Sequence, residues 1–350
     1  PYINQSIKEL EYLKSKPLTR NSVKDKQNLI HKKKTSKFHS ILLSDTHKET
    51  SSGVQTKRTA QTVQETIANS LDARGYYFDD SDGIVFKSLD LLYKREGITE
   101  DISLGGDIGI FSIEQKGGQK YSGTRYGIDL FYSHFDLRLG FNKFSDYSEF
   151  VPTIKYHNNY ENQSYLFEYT RQNALFYTYS LVPYEKKIIA NHFSVSDYIV
   201  FENKTNLWAN IVVNFFSNDD REITGQFDWI FYQNTLFSPK FSYTLALEGW
   251  YTSHSRQHTD FYSPSFTDAT LLRFNPQYEF SKWFGLKAKL GIGHSFHDEI
   301  EPYKYGLWAF GKPTKNLFYL AGCLNSNAAR LANGPTYHYT ECEVKVGYKW

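Results

Sequence analysis

The residues best suited to catalysis lie together in the segment Gly293-His294-Ser295-Phe296-His297-Asp298. Serine, histidine and aspartate are the groups from which a hydrolase builds a nucleophile, its base and the group that orients the base. Neighbouring side chains of a strand point to opposite faces. His294 shares the phase of the apolar residues Leu290 and Ile292, whereas Ser295 has the opposite phase. We therefore predict that this nucleophile and base do not meet, and that the protein is not an enzyme.

The candidate metal ligands are an acidic run, Asp79-Asp80-Ser81-Asp82-Gly83, and two cysteines. The run lacks the later glutamate and the spacing of an EF-hand loop, so it predicts an exposed acidic turn. Cys323 and Cys342 are too few for a four-thiolate zinc site. They fall on the last two predicted strands, where they form either a disulfide or two neighbouring free thiols. The sequence predicts no metal site and no cofactor.

Charge divides the chain near residue 67. The 350 residues hold 40 Lys and Arg against 38 Asp and Glu, and residues 1–67 are net positive whereas residues 68–350 are net negative. Apolar residues at helical spacing and the basic run His31-Lys32-Lys33-Lys34 predict a helical or linker segment with a solvated face, and no nucleic-acid partner. The sequence begins at Pro1 and contains no Met, so we expect a signal peptide to have been removed.

From residue 68 onward, apolar and polar residues alternate along the chain. In the last segment Val344, Val346 and Tyr348 share one face, and Glu343 and Lys345 share the other. We count about sixteen such segments of ~10 residues, the length with which a tilted strand crosses a bilayer. Turn residues separate the segments, and no helical period is evident among them. Aromatic residues make up 17% of the chain, which excludes a disordered protein.

Three features favour a membrane barrel over a soluble sandwich. Full charges stand mid-strand on the polar face, and the chain ends on an aromatic residue, which resembles the C-terminal signal of bacterial outer-membrane barrels. Aromatic residues at predicted strand ends would anchor the barrel at the membrane interfaces. These interface aromatics are Tyr126, Tyr132, Tyr243, Tyr251, Tyr348 and Trp350.

We therefore predict an all-β protein: a transmembrane antiparallel β-barrel of about 16 strands in the outer-membrane bilayer, with residues 1–67 in the periplasm. Because lipid cannot satisfy backbone N–H and C=O groups, the sheet must close, and sixteen strands leave an aqueous channel. The net negative charge of the barrel part favours a neutral or cationic permeant. The candidate lumen and polymer-contact residues by phase are Asp107, Arg125, Asp129, Arg138, Asp228, Glu248, Trp250, Lys287, Lys289, Glu343 and Lys345.

The C-terminal hundred residues resemble the barrels of bacterial exopolysaccharide exporters of the cellulose or poly-N-acetylglucosamine type, which carry a periplasmic tetratricopeptide region. The resemblance rests on Tyr262-Ser263-Pro264, on Leu324-Asn325-Ser326-Asn327-Ala328, and on the closing strand from Tyr339 to Trp350. It implies an export channel for a polysaccharide chain, with residues 1–67 as the end of a tetratricopeptide array. Periplasmic and inner-membrane synthase components are the implied partners. The exporters of another polysaccharide, Pel, share this layout.

Two other kinds of function stay open at this point. A general or solute-specific porin would show the same alternation and the same closed sheet. An outer-membrane barrel enzyme or an adhesin is less favoured, because the serine and histidine described above differ in phase.

Overall fold

The computed structural model describes most of the chain from Asn69 to Trp350. The described ranges are 69–99, 101–116, 118–178, 180–201, 205–235, 240–256, 263–281, 283–298, 300–329 and 336–350. The predicted helical or linker segment 1–67 therefore lies outside the described residues, as does Tyr262 of the resemblance.

Sixteen antiparallel strands form one closed barrel, which confirms the predicted fold class. Each strand pairs with its neighbours in sequence, and the first and last strands close the sheet, with Ser70 opposite Lys349. The strands are β1 (Asn69–Asp80), β2 (Ile84–Arg95), β3 (Ile102–Gln115), β4 (Lys120–Tyr132), β5 (Phe135–Phe144), β6 (Ser148–Asn159), β7 (Gln163–Asn173), β8 (Ile189–Val200), β9 (Asn206–Phe216), β10 (Arg221–Thr235), β11 (Phe241–His254), β12 (Thr267–Ser281), β13 (Phe284–His294), β14 (Tyr303–Gly311), β15 (Leu317–Ala329) and β16 (Thr336–Lys349).

The residues that alternate along the sequence face opposite sides of the barrel wall. Ile128 and Ile292 are 69% and 73% exposed on the outer face, where lipid would cover them. Arg273 and Lys304, on the opposite face, are nearly inaccessible. An apolar exterior around a polar interior is the arrangement of a membrane barrel. Within the described ranges, we find no helix that is long and apolar enough to span a membrane.

The two ends of the barrel differ in their connections. Short turns such as residues 133–134 join the strands at the end that holds Asn69 and Trp350, which we call the terminal end. The three longest connections, residues 174–188, 255–266 and 295–302, lie at the opposite end, which we call the loop end, together with short turns such as residues 81–83. In outer-membrane barrels the short turns face the periplasm and the long loops face outward.

Residues 174–188, which we call the inward loop, hold two short helices, α1 (Leu175–Thr178) and α2 (Leu181–Glu185). The sequence showed no helical period after residue 67, and two single-turn helices are present here all the same. The Ser180 side chain caps α2 by accepting a hydrogen bond from the Val182 amide. Isolated helices of this length are unstable in water, so packing inside the barrel must hold them. The sequence carries no periodic signal for elements so short.

Cys323 and Cys342 lie directly opposite each other on β15 and β16 and form a disulfide. The sequence had left a bond and two free thiols open, and the structure shows the bond. Both side chains share the outward phase of their strands. The bond therefore staples the last hairpin on its lipid-facing side.

Replacing both cysteines by serine is expected to lower the free energy of unfolding by about 3 kcal/mol, because the bond closes a short loop in the unfolded chain. The two cysteines are 19 residues apart. Urea unfolding in detergent micelles would measure the change, and the single variant Cys323→Ser, which also lacks the bond, should lose a similar amount. Two titratable thiols in the unfolded, unreduced protein would contradict the bond.

Candidate functional site

The candidate site is the lumen wall, and its first part is a set of ion pairs on β2–β6. Arg138 donates from Nε and Nη2 to the two carboxylate oxygens of Asp107, at 2.9 and 2.7 Å. Its Nε also lies 3.9 Å from Asp129. Arg125 pairs in the same two-pronged manner with Asp90. Such bidentate pairs fix both partners in one orientation.

Glycines make room for the arginine side chains. A Cβ atom at Gly127 would lie 2.7 Å from Asp107 Oδ1 and 2.8 Å from Arg138 Nε. A Cβ atom at Gly140 would lie 3.1 Å from Arg138 Cζ. Because these two positions carry no side chain, the guanidinium lies flat against β4 and reaches across it to β3. The two inward-facing glycines thus leave the space that the Arg138–Asp107 ion pair occupies.

The basic members of these pairs reach further into the lumen than the acidic members. The side chains of Arg125 and Arg138 are each 26% exposed, whereas those of Asp90 and Asp107 are 13% and 8% exposed. Lys155, 3.2 Å from Glu168, is 37% exposed. A permeant on this side would therefore meet cationic groups whose charge is already compensated.

A second part of the wall, on β6–β11, is mostly uncharged, and we call it the polar strip. Its members hydrogen-bond to one another across strands: Thr170 donates to Thr153 at 3.1 Å, and the hydroxyls of Thr224 and Thr252 lie 2.9 Å apart. His192 Nδ1 lies 2.8 Å from Asn214 Oδ1. Trp250 stands beside Gln226 in the register and is half-buried. The strip comprises Thr153, Thr170, His192, Asn210, Asn214, Thr224, Gln226, Trp250 and Thr252.

The third part is a buried cluster of four charges on β10, β11, β12 and β14. Arg273 donates to Glu248 at 2.6 Å and to both oxygens of Asp228, at 2.8 and 2.9 Å. Lys304 pairs with the other oxygen of Glu248. Two cations and two carboxylates compensate each other, which is what the burial of charge requires. We call this set the buried charge cluster.

The structure separates the predicted lumen residues into accessible and buried groups. Asp107, Arg125, Asp129, Arg138, Trp250, Lys287 and Glu343 are half-buried, whereas Asp228, Glu248, Lys289 and Lys345 are buried. Lys289 Nζ lies 5.5 Å from the ring centre of Trp308, and Lys345 Nζ lies 5.7 Å from that of Phe318. The predicted contact with a polymer remains a prediction for all eleven residues. The four buried residues could contribute to polymer passage only by stabilising the lumen wall.

Sequence reasoning missed Arg273 and Lys304. The alternation of β12 and β14 assigns both residues to the lumen face, so their phase was available as a signal. Their pairing with Glu248 could not be predicted from the sequence, because this contact depends on the register of four strands.

The inward loop fills part of the lumen at the loop end. Leu175, Leu181 and Tyr184 are buried against inward-facing side chains of the wall. The ring of Phe176 lies 5.2 Å from that of Phe111, edge to face. Burial, together with a hydrogen bond to Asp146, raises the pKa of Tyr184, so its hydroxyl remains a donor at neutral pH. The wall residues in this apolar cluster are Phe78, Ile84, Phe86, Phe111, Ile113, Phe144 and Tyr339.

Five of the six predicted interface aromatics lie towards the ends of their strands. Tyr132, Tyr243, Tyr348 and Trp350 are near the terminal end, and Tyr251 is near the loop end. The assignment of Tyr126 to a strand end is wrong, because β4 extends back to Lys120 and places this residue at its middle. There it stacks on Phe141, with ring centres 5.6 Å apart.

The segment considered for catalysis divides as its phase predicted. His294 is exposed on the outer face, whereas Ser295 is fully buried. The Ser295 hydroxyl donates to Asp268 at 3.1 Å and lies 3.5 Å from Asp298. Ser295 and His294 thus lie on opposite sides of the barrel wall.

The acidic turn is not the exposed feature that we expected. Asp80 is buried; its carboxylate accepts hydrogen bonds from the Asp82 and Ile84 amides and from the Tyr337 hydroxyl. Asp79 pairs with Lys116. The carboxylates therefore shape the turn. Within the described part of the chain, no three His, Cys, Asp or Glu residues are grouped to hold a metal ion.

Comparison with known proteins supports the fold. No protein-family model matches the chain, and no curated protein matches it in sequence. A solved bacterial polysaccharide outer membrane secretin superposes with a TM-score of 0.64 at 13% identity, covering 81% of this chain and 98% of that one. Two more distant structures are also similar. The DcaP channel of Acinetobacter baumannii has a TM-score of 0.38 at 10% identity, with 81% of this chain and 96% of that one covered, and an anion-selective porin of Comamonas acidovorans has a TM-score of 0.41 at 8% identity, with 81% and 99% covered.

The closed sixteen-strand sheet, its apolar exterior and its polar interior define the class: this is a β-barrel with the fold of outer-membrane proteins. At 13% identity, the likeness to the secretin concerns the fold alone.

Proposed function

We propose that the protein is a channel through which a neutral or weakly charged polysaccharide leaves the cell. The polar strip is the observation that carries this proposal, because its hydroxyl, amide and indole groups suit a permeant rich in hydroxyls. The shared fold with a polysaccharide secretin supports it. We propose passage without bond-making, in keeping with the separation of Ser295 from His294.

The polar strip would act as a series of weak, equivalent sites. The half-buried members His192, Asn210 and Gln226 can exchange a protein partner for a sugar hydroxyl, so the gain per step is about 1 kcal/mol or less. The buried threonines and Asn214 would support the wall beside them. The half-buried ring of Trp250 would stack on a sugar ring as it passes. A chain held by many small and similar interactions moves without being trapped at one of them.

The ion pairs of β2–β6 favour a neutral permeant. A lone charge inside the lumen would bind the opposite charge strongly, whereas Arg138 is already compensated by Asp107 and Asp129. The sequence predicted a neutral or cationic permeant from the acidic balance of the barrel. The greater exposure of Arg125, Arg138 and Lys155 supports the neutral one of these two.

Orientation follows from the lengths of the connections. We propose that the terminal end faces the periplasm and the loop end faces outward, as short turns and long loops do in this class. The polysaccharide would then enter beside Asn69 and Trp350. Periplasmic and inner-membrane synthase components, and a tetratricopeptide array, belong to this proposal as the suppliers of the polymer.

The inward loop favours a second candidate, a solute-specific porin. A segment folded into the lumen narrows the opening, as size-selective diffusion of small molecules requires. Both candidates share the lumen described here, and they differ in the length of the molecule that passes.

Single-channel recording in planar bilayers tests the proposal. We expect neutral glucan oligomers to interrupt the current, with blocks that lengthen as the oligomer grows, because longer chains engage more of the polar strip. Trp250→Ala should shorten these blocks several-fold, whereas Trp283→Ala, a change to an exposed tryptophan at the terminal end, should leave them unchanged. Blocks whose duration does not depend on oligomer length would favour the porin. A current that sugars do not change would exclude both the polysaccharide channel and a porin specific for sugars.

A further inference from the structure

Basic residues face outward at the loop end of five strands between β2 and β10. They are exposed, and each shares the phase of lipid-facing apolar residues on its own strand, as Lys143 does with Leu139 and Phe141. A charged side chain on this face is costly near the middle of a bilayer but inexpensive at its edge. We call this set the outer basic row: Lys87, Lys120, Lys143, Arg171 and Arg221.

Two arginines of the row stand at one level of the barrel. In the register Arg171 is opposite Asn191, Asn191 is opposite Phe215, and Phe215 is opposite Arg221. Three strand spacings separate the two arginines, which is about 14 Å. Asn191 lies between them and accepts a hydrogen bond from the Tyr169 hydroxyl at 3.1 Å.

Aromatic rings mark the membrane boundary beside these arginines. The rings of Tyr169 and Phe193 lie 4.9 Å apart, and those of Phe193 and Phe215 lie 6.0 Å apart. Tyrosine rings collect where hydrocarbon meets headgroups. Arg171 and Arg221 therefore stand at the depth of the lipid headgroups.

Two acidic groups near the row, Glu114 and Asp79, are already engaged. Glu114 lies between Lys87, at 3.7 Å, and Lys120, at 3.5 Å, and Asp79 pairs with Lys116 at 2.9 Å. Within the described ranges, no carboxylate forms an ion pair with Arg171, Arg221 or Lys143. Glu114 thus compensates part of the charge at Lys87 and Lys120, whereas Lys143, Arg171 and Arg221 present positive charge to the headgroup region.

We propose that the outer basic row binds the phosphate groups of phosphorylated lipid headgroups in the outward-facing leaflet. Guanidinium forks match phosphate in two-pronged hydrogen bonds, and basic clusters at the edge of a membrane segment attract anionic headgroups. Asn191 supplies an amide between the two forks. The assignment to the outward-facing leaflet rests on the orientation in the proposed function, whereas the binding itself does not.

Titration of the full chain in detergent micelles with bisphosphorylated lipid A, and with the same glycolipid after its phosphates are removed, tests the proposal. We expect the dephosphorylated lipid to bind weakly. The double variant Arg171→Gln/Arg221→Gln should bind lipid A about tenfold or more weakly, as the loss of charge-assisted hydrogen bonds implies. Arg95→Gln, a change to an exposed arginine of β2 at the terminal end, is the matched control and should bind like the unaltered protein.

Equal binding of the two lipids, or unchanged binding by the double variant, would overturn the proposal. An equal loss in Arg95→Gln would show a general charge effect, and displacement of the lipid by millimolar inorganic phosphate would show a site for the free anion. Far-ultraviolet circular dichroism establishes that each variant is folded. Because binding is read without any current, a failed conductance experiment and a failed lipid experiment are distinguishable.

Discussion

Replacing the inward loop, residues 174–188, by a tight turn is expected to raise the single-channel conductance several-fold. The loop holds α1 and α2 inside the barrel, where Leu175 and Tyr184 are buried against the wall. Its removal leaves the lumen wider and wetted at the loop end, and current increases with the cross-section of the narrowest part. Recording in planar bilayers at high salt, where surface charge is screened, measures the change.

A point variant separates the volume of the loop from its anchorage. Tyr184→Ala removes the ring that packs against Phe144, with ring centres 5.1 Å apart, and the hydroxyl that donates a hydrogen bond to Asp146. We expect frequent brief openings to the larger conductance in this variant. Tyr160→Ala, a change in a turn at the terminal end, should behave like the unaltered protein. An unchanged conductance after loop replacement would mean that the passage is narrowest elsewhere.

Glu248→Gln is expected to destabilise the barrel by about 3–5 kcal/mol, because it leaves buried cations without their partner. Glu248 accepts from both Arg273 and Lys304, and all three side chains are almost fully buried. Asp228 still compensates the charge of Arg273, so the destabilisation comes mainly from Lys304, whose buried charge loses its carboxylate partner. The temperature at which the folded band disappears in unheated gel electrophoresis, or urea unfolding in micelles, measures the effect.

Two comparisons make this prediction specific. Glu301→Gln makes the same chemical change at an exposed position and should alter the stability by less than about 0.5 kcal/mol. The double variant Glu248→Gln/Lys304→Gln should recover part of the loss, since it removes the unpaired cation as well. If the double variant is as unstable as the sum of the two single variants, the pair does not act as a unit.

The fold followed from the sequence because a strand with one lipid face has an unmistakable period. Leu290 and Ile292 could not alternate with Lys289 and Gly291 in any element but a strand with two unlike sides. Sixteen segments of this kind, together with the need of lipid-embedded backbone for partners, leave closure as the one solution. The number of strands and the phase of the lumen residues were therefore predictable.

The interior was less predictable, because its geometry depends on pairing between strands. Arg138 reaches Asp107 across β4, and the room for it comes from Gly127 and Gly140. No spacing along the chain encodes that contact. The inward loop was missed for a related reason, since its helices are too short to show a period and are held by side chains from distant strands.

The pairing of β1 with β16 sets the order in which the molecule can fold. Ser70 and Lys349 are neighbours in the sheet although nearly the whole barrel separates them in sequence. Contacts of such sequence separation form slowly, because the entropy of closing the loop is lost before the contact is made. Until β16 arrives, two strand edges are open, and each can join another chain. We expect the long-lived species during assembly to be a curved, unclosed sheet, and the final hairpin, already stapled by its disulfide, to be the piece that completes it.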